Sequence, residues 1–269
     1  MIKSVVLCHP SSKNILRDSV FRSKIVDKVK ISCGVSRTKY SDFCEGNDFN
    51  PTYAAWNSCL FESSVIMTVW EHADTLIGND DVAILHTDVQ PHFTPYKMWR
   101  KISSSIKDGN IVGLTIPYAY MGAVDDWIMP ENIALDVRND PMLKHAFDIG
   151  INVWDFIKKY DYDIYSYALD ENPCIVFSHQ FACSRKHFDE LGYKLSRIIR
   201  NLRLQDTGFW TPHMFERLIG LYLSKISSVE LTTAFWHHSS SGTFGPGENI
   251  LYGPKGVKFY RTRMRLLDD

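Results

Sequence analysis

The chain has 269 residues, 45% of them hydrophobic and 23% charged, an ordinary globular composition with enough length to bury a sizeable core. Lysine and arginine number 30 against 31 aspartates and glutamates, which excludes a global field drawing the chain to nucleic acid or membrane. A basic lean exists only in the last fifteen residues, with Lys255, Lys258, Arg261, Arg263 and Arg265 against Asp268 and Asp269.

The start, MIKSVVLCHP, has too short an apolar run for a signal peptide, and no stretch nears the roughly 20 apolar residues of a membrane span. Ile2 to Cys8 is predicted to be a short buried strand, ended by His9-Pro10 and two serines. A lysine-rich amphipathic stretch follows, and Val29 to Val35 reads as a second strand. Residues 40–52 form a polar loop in which Asn50-Pro51 marks a turn and Thr52 is expected to cap a helix. Tyr53 to His72 has helical spacing, with Trp56, Leu60, Met67 and Trp70 on one face.

Val82 to Leu85 is the next strand, running into His86-Thr87-Asp88-Val89-Gln90-Pro91. Tyr96 to Ile106 reads as a helix, Ile111 to Ile116 as a strand, and residues 117–142 as a long irregular excursion. Lys144 to Tyr160 is helical, Cys174 to Cys183 a strand, and Arg185 to Leu204 and Pro212 to Ser224 are helices. Residues 239–256 are rich in Gly, Ser and Pro and read as a loop. Strands alternating with helices predict an α/β fold with a mainly parallel central sheet. One Rossmann-like domain over residues 1–235 is expected, with 236–269 as a loop and basic tail packed on it.

Six cysteines stand at 8, 33, 44, 59, 174 and 183 without a C-x-x-C pair, so free thiols in a cytoplasmic protein are expected rather than a zinc knuckle. Ligands of such sheets bind at the carboxyl ends of strands. That directs attention to His9–Ser12, His86–Gln90 and the pair His179 and Gln180.

In VAILHTDVQP an apolar strand delivers Asp88. A carboxylate there can hold Mn²⁺ or Mg²⁺ against a diphosphate, whose charge grows as it leaves. Asp88-Val89-Gln90 has one carboxylate where a D-x-D motif has two, so His86 or Gln90 would complete the site. The competing reading is an aspartate that caps a turn. In FWTPHMFERLIGLYL, Pro212 suits a first helical turn and Glu216 and Arg217 lie near the helix start. Glu216 is either helix-start charge or a general base that faces the acceptor. In Trp236-His237-His238, neighbouring strand residues face opposite sides, so one imidazole, assigned to His237, could reach a diphosphate or its metal. The tyrosines at 160, 162, 165 and 167 read as packing or surface contacts.

These segments, in this order, resemble a family of stand-alone glycosyltransferases from bacterial polysaccharide loci. The matching places are Leu7-Cys8-His9-Pro10, Gly46-Asn47-Asp48, Asn50-Pro51, Glu62-Ser63-Ser64 with Trp70, and Ala83 to Val89. Further on they are His179-Gln180-Phe181-Ala182, Phe188-Asp189-Glu190 and Phe215-Glu216-Arg217-Leu218. The likeness covers roughly residues 1 to 225. It departs from the family's His-Tyr-Arg-Arg pattern after the third strand, where this chain keeps His86 and has Asp88 near the arginine positions.

The resemblance implies a single Rossmann-like domain of the GT-A glycosyltransferase type and a nucleotide-sugar donor. The donor base and ribose are then expected near His9, Asp48 and Glu62, the diphosphate and its Mn²⁺ or Mg²⁺ at Asp88 with His86 and His237, and a glycan acceptor near Glu216. Two other readings stay open at this point. One is sugar transfer to DNA carrying hydroxymethylated or glucosylated bases, which the basic tail fits and the neutral net charge does not. The other is a non-catalytic sugar- or nucleotide-binding protein.

Overall fold

The computed structural model describes residues 1–8, 18–35, 42–86, 89–91, 94–115, 153–171, 176, 179–202 and 211–237. Its centre is an eight-stranded sheet. The strands are β1 (Ile2–Cys8), β2 (Val26–Ser32), β3 (Cys44–Glu45), β4 (Asp81–His86), β5 (Val89–Pro91), β6 (Ile111–Thr115), β7 (Phe181–Cys183) and β8 (Val229–His237). Their order across the sheet is β3-β2-β1-β4-β7-β6-β8-β5.

Pairings β1–β2, β1–β4 and β2–β3 are parallel, β7 is antiparallel to both β4 and β6, β8 is parallel to β6, and β5 is antiparallel to β8. It follows that β1, β2, β3, β4, β6 and β8 all point one way. The expected α/β fold with a mainly parallel sheet is therefore present. The chain moves outward from β1 to β2 and β3, then returns to the other side of β1 as β4. That reversal is the topological switch point at which such sheets bind ligands.

β1 carries an apolar run, Val5 to Cys8, because it is buried on both faces. Val5 and Leu7 pack on one side and Ile2 and Val6 on the other. The helices are α1 (Gly46–Phe49), α2 (Pro51–Ala55), α3 (Asn57–Leu60), α4 (Glu62–Glu71), α5 (Ala73–Leu76), α6 (Pro95–Lys107), α7 (Val153–Tyr160), α8 (Tyr162–Glu171), α9 (Arg185–Asn201) and α10 (Thr211–Ile226). Residues of α4, α7, α8, α9 and α10 form the first core with Val5, Leu7, Ile84 and Phe181. Met98, Trp99, Ile102 and Ile106 of α6 form the second with Ile2, Val6, Leu85 and Leu114. The Trp99 indole N–H donates to the Val20 carbonyl at 2.7 Å, tying α6 to the short 3-10 turn Asp18–Phe21.

Several elements differ from the sequence expectation. The second strand is shifted toward the N-terminus, to Val26–Ser32. The stretch expected as one helix from Tyr53 to His72 is broken at Trp56 and Phe61 into α2, α3 and α4. The break at Phe61 has a local cause: φ is 44° there, outside any helix, and the Ser64 hydroxyl donates to the Phe61 carbonyl at 2.6 Å. Helical spacing survives a break of this kind, so the pattern of apolar residues does not reveal it.

The cap is Asn50 rather than Thr52. Its side chain accepts from the Tyr53 N–H at 3.1 Å, with Pro51 in the first turn. Glu71 then holds this corner, accepting from Asn50 Nδ2 at 2.6 Å and the Tyr53 hydroxyl at 3.1 Å. Helix α8 and strand β5 were not expected. Asp161 starts α8 by accepting from the Ile164 N–H at 3.0 Å, and it also accepts the Tyr222 hydroxyl of α10 at 2.6 Å.

The cysteines described, Cys8, Cys33, Cys44 and Cys183, are free thiols. Among the described residues no helix is long and apolar enough to cross a membrane. The 117–142 excursion, including the Asp125-Asp126-Trp127 run, and the basic tail at Arg261, Arg263 and Arg265 lie outside the described residues.

Helix α4 leans on α9 through a glycine. A Cβ added at Gly192 would lie 2.2 Å from Trp70 Cγ and 2.3 Å from its Cδ1, so only glycine lets the two helices approach this closely. Gly192→Ala is expected to destabilise the fold by about 1–3 kcal/mol through overpacking, read as a lower urea midpoint. An unchanged midpoint would show that Trp70 swings aside at no cost.

Candidate functional site

The parallel strands deliver their ends in one row. Leu7 pairs with Ile31 of β2 on one side and with His86 of β4 on the other. His86 is therefore the last residue of β4, at the carboxyl edge beside the switch point. β7 runs against β4 and β6, so the residues that precede it, His179 and Gln180, arrive at this same edge. Sequence reasoning singled out both as polar residues beside an apolar strand, within a strand expected from Cys174 to Cys183. The described strand is Phe181–Cys183, and its opposite direction is what brings His179 next to His86.

The two imidazoles stack, with centroids 6.3 Å apart and planes inclined by 29°. His179 is buried, and a 2.9 Å hydrogen bond joins its Nε2 to the hydroxyl of Ser63 in the first turn of α4. Ser63 itself is fully buried. The pair therefore locks the N-terminal turn of α4 to the chain leading into β7. Among the described residues the non-glycine positions with positive φ are Phe61, at 44°, and His179, at 51°. Both adjoin this contact. Left-handed backbone at ordinary residues costs about 1–3 kcal/mol each and gathers at functional sites.

Glu62 opens α4 and is half-buried. Burial pushes its pKa up. The charges of His86 and His179, in that order, and its own backbone N–H reverse the effect, while Glu216 pushes upward again. The net result lies below the ordinary value of 4.5, so Glu62 is ionised at neutral pH. His86, His179 and Glu216 thus each act electrostatically on Glu62, and His86 stacks on His179.

Glu216 is half-buried and acts electrostatically on Glu62. It is the sixth residue of α10, which begins at Thr211. It therefore sits in the second turn rather than at the helix start, beyond the first turn in which the macrodipole acts. The Arg217 side chain lies outside the described residues.

Cys33, just past β2, borders the cluster. Burial raises its thiol well above 9.0, and Glu62 and then Cys8 add to the rise. It stays protonated and is no nucleophile. Asp48 is exposed on α1. Its helix starts tight against β2, since a Cβ on Gly46 would sit 2.5 Å from the Ser32 carbonyl oxygen.

His9 and Asp88 lie outside the described residues. His237 is the last residue of β8, and the ribbon register sets it opposite Val89, the neighbour of Asp88. Among the described residues no three His, Cys, Asp or Glu side chains gather as ligands for a metal ion. Sequence reasoning pointed to His179 beside a strand but gave neither it nor Ser63 a role. Ser63 was visible only as part of Glu62-Ser63-Ser64, and His179 as a polar residue beside a strand; nothing in either segment indicates that they meet.

The cluster combines an ionised carboxylate, a second carboxylate and two imidazoles at a sheet edge. Such a set can accept hydrogen bonds from hydroxyl groups and take up a proton from one of them.

Glu62→Gln removes the ionised partner while keeping the shape. Because the folded pKa lies below the ordinary 4.5, the carboxylate stabilises the fold fully above that value. The contribution fades as pH falls through the lower folded value. Urea unfolding of wild type and Glu62→Gln should therefore show a gap that is widest near about pH 7 and narrows toward about pH 3. A gap that stays constant over this range would mean that Glu62 gains nothing from the imidazoles.

No family model matches the chain, and no curated protein matches it. Among solved structures it is similar to the apo form of WbbM, a bifunctional glycosyltransferase, with 12% identity and a TM-score of 0.48 over 88% of this chain. The match spans 45% of that protein, so the chain corresponds to less than half of its length.

Proposed function

We propose that this chain transfers a sugar from a nucleotide-sugar donor to a hydroxyl of a glycan acceptor. One observation carries the reading. Glu62, His86, His179 and Glu216 belong to four separate segments, each of which resembles a motif of the polysaccharide-locus glycosyltransferases. His86 and His179 stack at the carboxyl edge beside the switch point, and both, like Glu216, act electrostatically on Glu62. That coupling between segments more than 150 positions apart supports the reading.

In this reading the donor lies across the ends of β1 and β4, with its base and ribose toward His9, Asp48 and Glu62. The diphosphate lies toward Asp88, which would hold Mn²⁺ or Mg²⁺, with His86 and His237 as the imidazoles nearest in the chain and in the ribbon register. One carboxylate with imidazole neighbours suits Mn²⁺ better than Mg²⁺. When bound, the ion offsets the charge that builds on the departing nucleoside diphosphate.

The acceptor hydroxyl oxygen bonds to the anomeric carbon as the bond from that carbon to the phosphate oxygen breaks. The hydroxyl proton passes to the Glu216 carboxylate, which acts electrostatically on Glu62. The compartment that fits this role is the cytoplasm, where nucleotide sugars are available to a chain whose described helices include no membrane span.

The test is a donor screen that measures nucleoside-diphosphate release with and without glycan acceptors. Glu216→Gln should lower kcat about 10²–10⁴-fold, the usual worth of a general base, with donor affinity kept. Asp88→Asn and EDTA should each lower the rate strongly without unfolding the chain. Full activity in EDTA would remove the metal from the mechanism. A normal rate in Glu216→Gln would move the base elsewhere, to His213 or the histidines at 237 and 238.

A further inference from the structure

We infer that Ser63 and His179 are positioning residues, which together set the plane of the His86 imidazole at the carboxyl edge of β4. On the glycosyltransferase reading, on which this rests for its functional meaning, His86 stands beside the donor diphosphate.

His86 ends β4, and its backbone is fixed by pairing with Leu7 of β1. A strand ladder fixes the backbone and leaves the torsions of the side chain open. An imidazole that serves a ligand must present one nitrogen in one direction, so its plane has to be held by something besides the strand. His179 supplies a ring against it, with centroids 6.3 Å apart and planes inclined by 29°. A ring at this distance and tilt limits rotation of His86 about its own Cβ–Cγ bond. The antiparallel direction of β7 brings His179 to the end of β4 rather than to its start.

A support is effective only if it is itself fixed, and His179 is fixed in three ways. It is 4% exposed. Its Nε2 lies 2.9 Å from the Ser63 hydroxyl oxygen, and turning the ring would break that hydrogen bond. Its backbone is left-handed, with φ at 51°, a conformation that persists only where the surroundings over-determine it. Filling space alone would be met by an apolar side chain on ordinary backbone, with no buried polar atom to satisfy. Buried bond, ring contact and left-handed backbone together specify a direction rather than a volume.

Ser63 is anchored in turn. It is fully buried in the first turn of α4. Next to it, the Ser64 hydroxyl lies within hydrogen-bond distance of the Phe61 carbonyl oxygen, at 2.6 Å, and of Asn57 Oδ1, at 3.1 Å. These contacts fix the turn that carries Ser63. Support therefore runs from the corner between α3 and α4 to Ser63, from Ser63 to His179, and from His179 to His86.

The experiment reads the His86 ring directly, by NMR of the full chain with isotopically labelled histidine. The His86 signals are assigned by comparison with His86→Gln. Ser63→Ala removes only the hydroxyl that holds His179. It should move the ring signals of both His179 and His86, and Ser63→Thr, which keeps the hydroxyl, should return the His86 signals toward wild type. Thermal melts confirm that each variant is folded. If Ser63→Ala does not fold, Ser63→Cys takes its place, since a thiol keeps the volume and bonds only weakly.

A second readout is calorimetric titration with MnCl₂ present and UDP, GDP, CDP and dTDP as probes. For a nucleotide that binds, Ser63→Ala should raise Kd about three- to tenfold. Combined with His86→Gln it should add nothing to the loss that His86→Gln causes alone, because residues acting through one another do not behave as independent sites. His86 signals that stay in place in Ser63→Ala would overturn the inference, and so would losses that add in the double variant. If the wild-type chain binds no nucleotide, the glycosyltransferase reading fails, while the ring signals still decide whether Ser63 and His179 set His86.

Discussion

Strand β1 hydrogen-bonds in parallel to β2 on one edge and to β4 on the other, and it is covered by a core on each face. Parallel neighbours cannot be joined by a tight turn, so the chain must cross the sheet and return between them. The return that leads to β4 passes through α1 to α5. The pairing of β1 with both partners therefore creates the switch point and brings the α1–α5 segment over it. The place where Glu62 can stand is decided by that crossing.

The crossing is held by contacts that leave little slack. Glu71 binds Asn50 and Tyr53 at the start of the segment, and Gly192 lets α9 press against Trp70 in the middle of α4. Arg185 closes the far end. It bonds Asp74 of α5 at 3.0 Å, its own helix neighbour Asp189 at 2.9 Å and the Gly78 carbonyl. Exposed ion pairs of this kind contribute little energy. Their effect here is on direction, because α4 is fixed at its N-terminal turn, along its length and just past its end. A helix held in this way can keep an ionised carboxylate at one spot beside two imidazoles.

The left-handed residues Phe61 and His179 fit the same account. Each costs free energy locally, and each is offset by a bond that the strained conformation permits. Ser64 bonds back to Phe61, and Ser63 bonds across to His179. Local irregularity in otherwise regular elements is where sequence patterns lose their grip and where side chains are re-aimed.

The amino-acid sequence by itself determined the alternation of apolar strands and helices, the α/β class and the mainly parallel sheet. It did so because strands buried on both faces need apolar runs, and Val5 to Cys8 of β1 and Val82 to Leu85 of β4 are such runs. It also singled out His86, Glu62 and Glu216 as candidate polar groups. Only the tertiary structure decided that His86 stacks on His179 and that both, like Glu216, act on Glu62. The direction of β7 is the reason: a three-residue strand carries no signal of whether it runs with or against its neighbours. The break at Phe61 was equally hidden, because a kinked and an unbroken helix share the same spacing of apolar residues. Contacts such as Ser63 to His179, which are 116 positions apart, depend on both of these choices at once. They exist only once the sheet has closed.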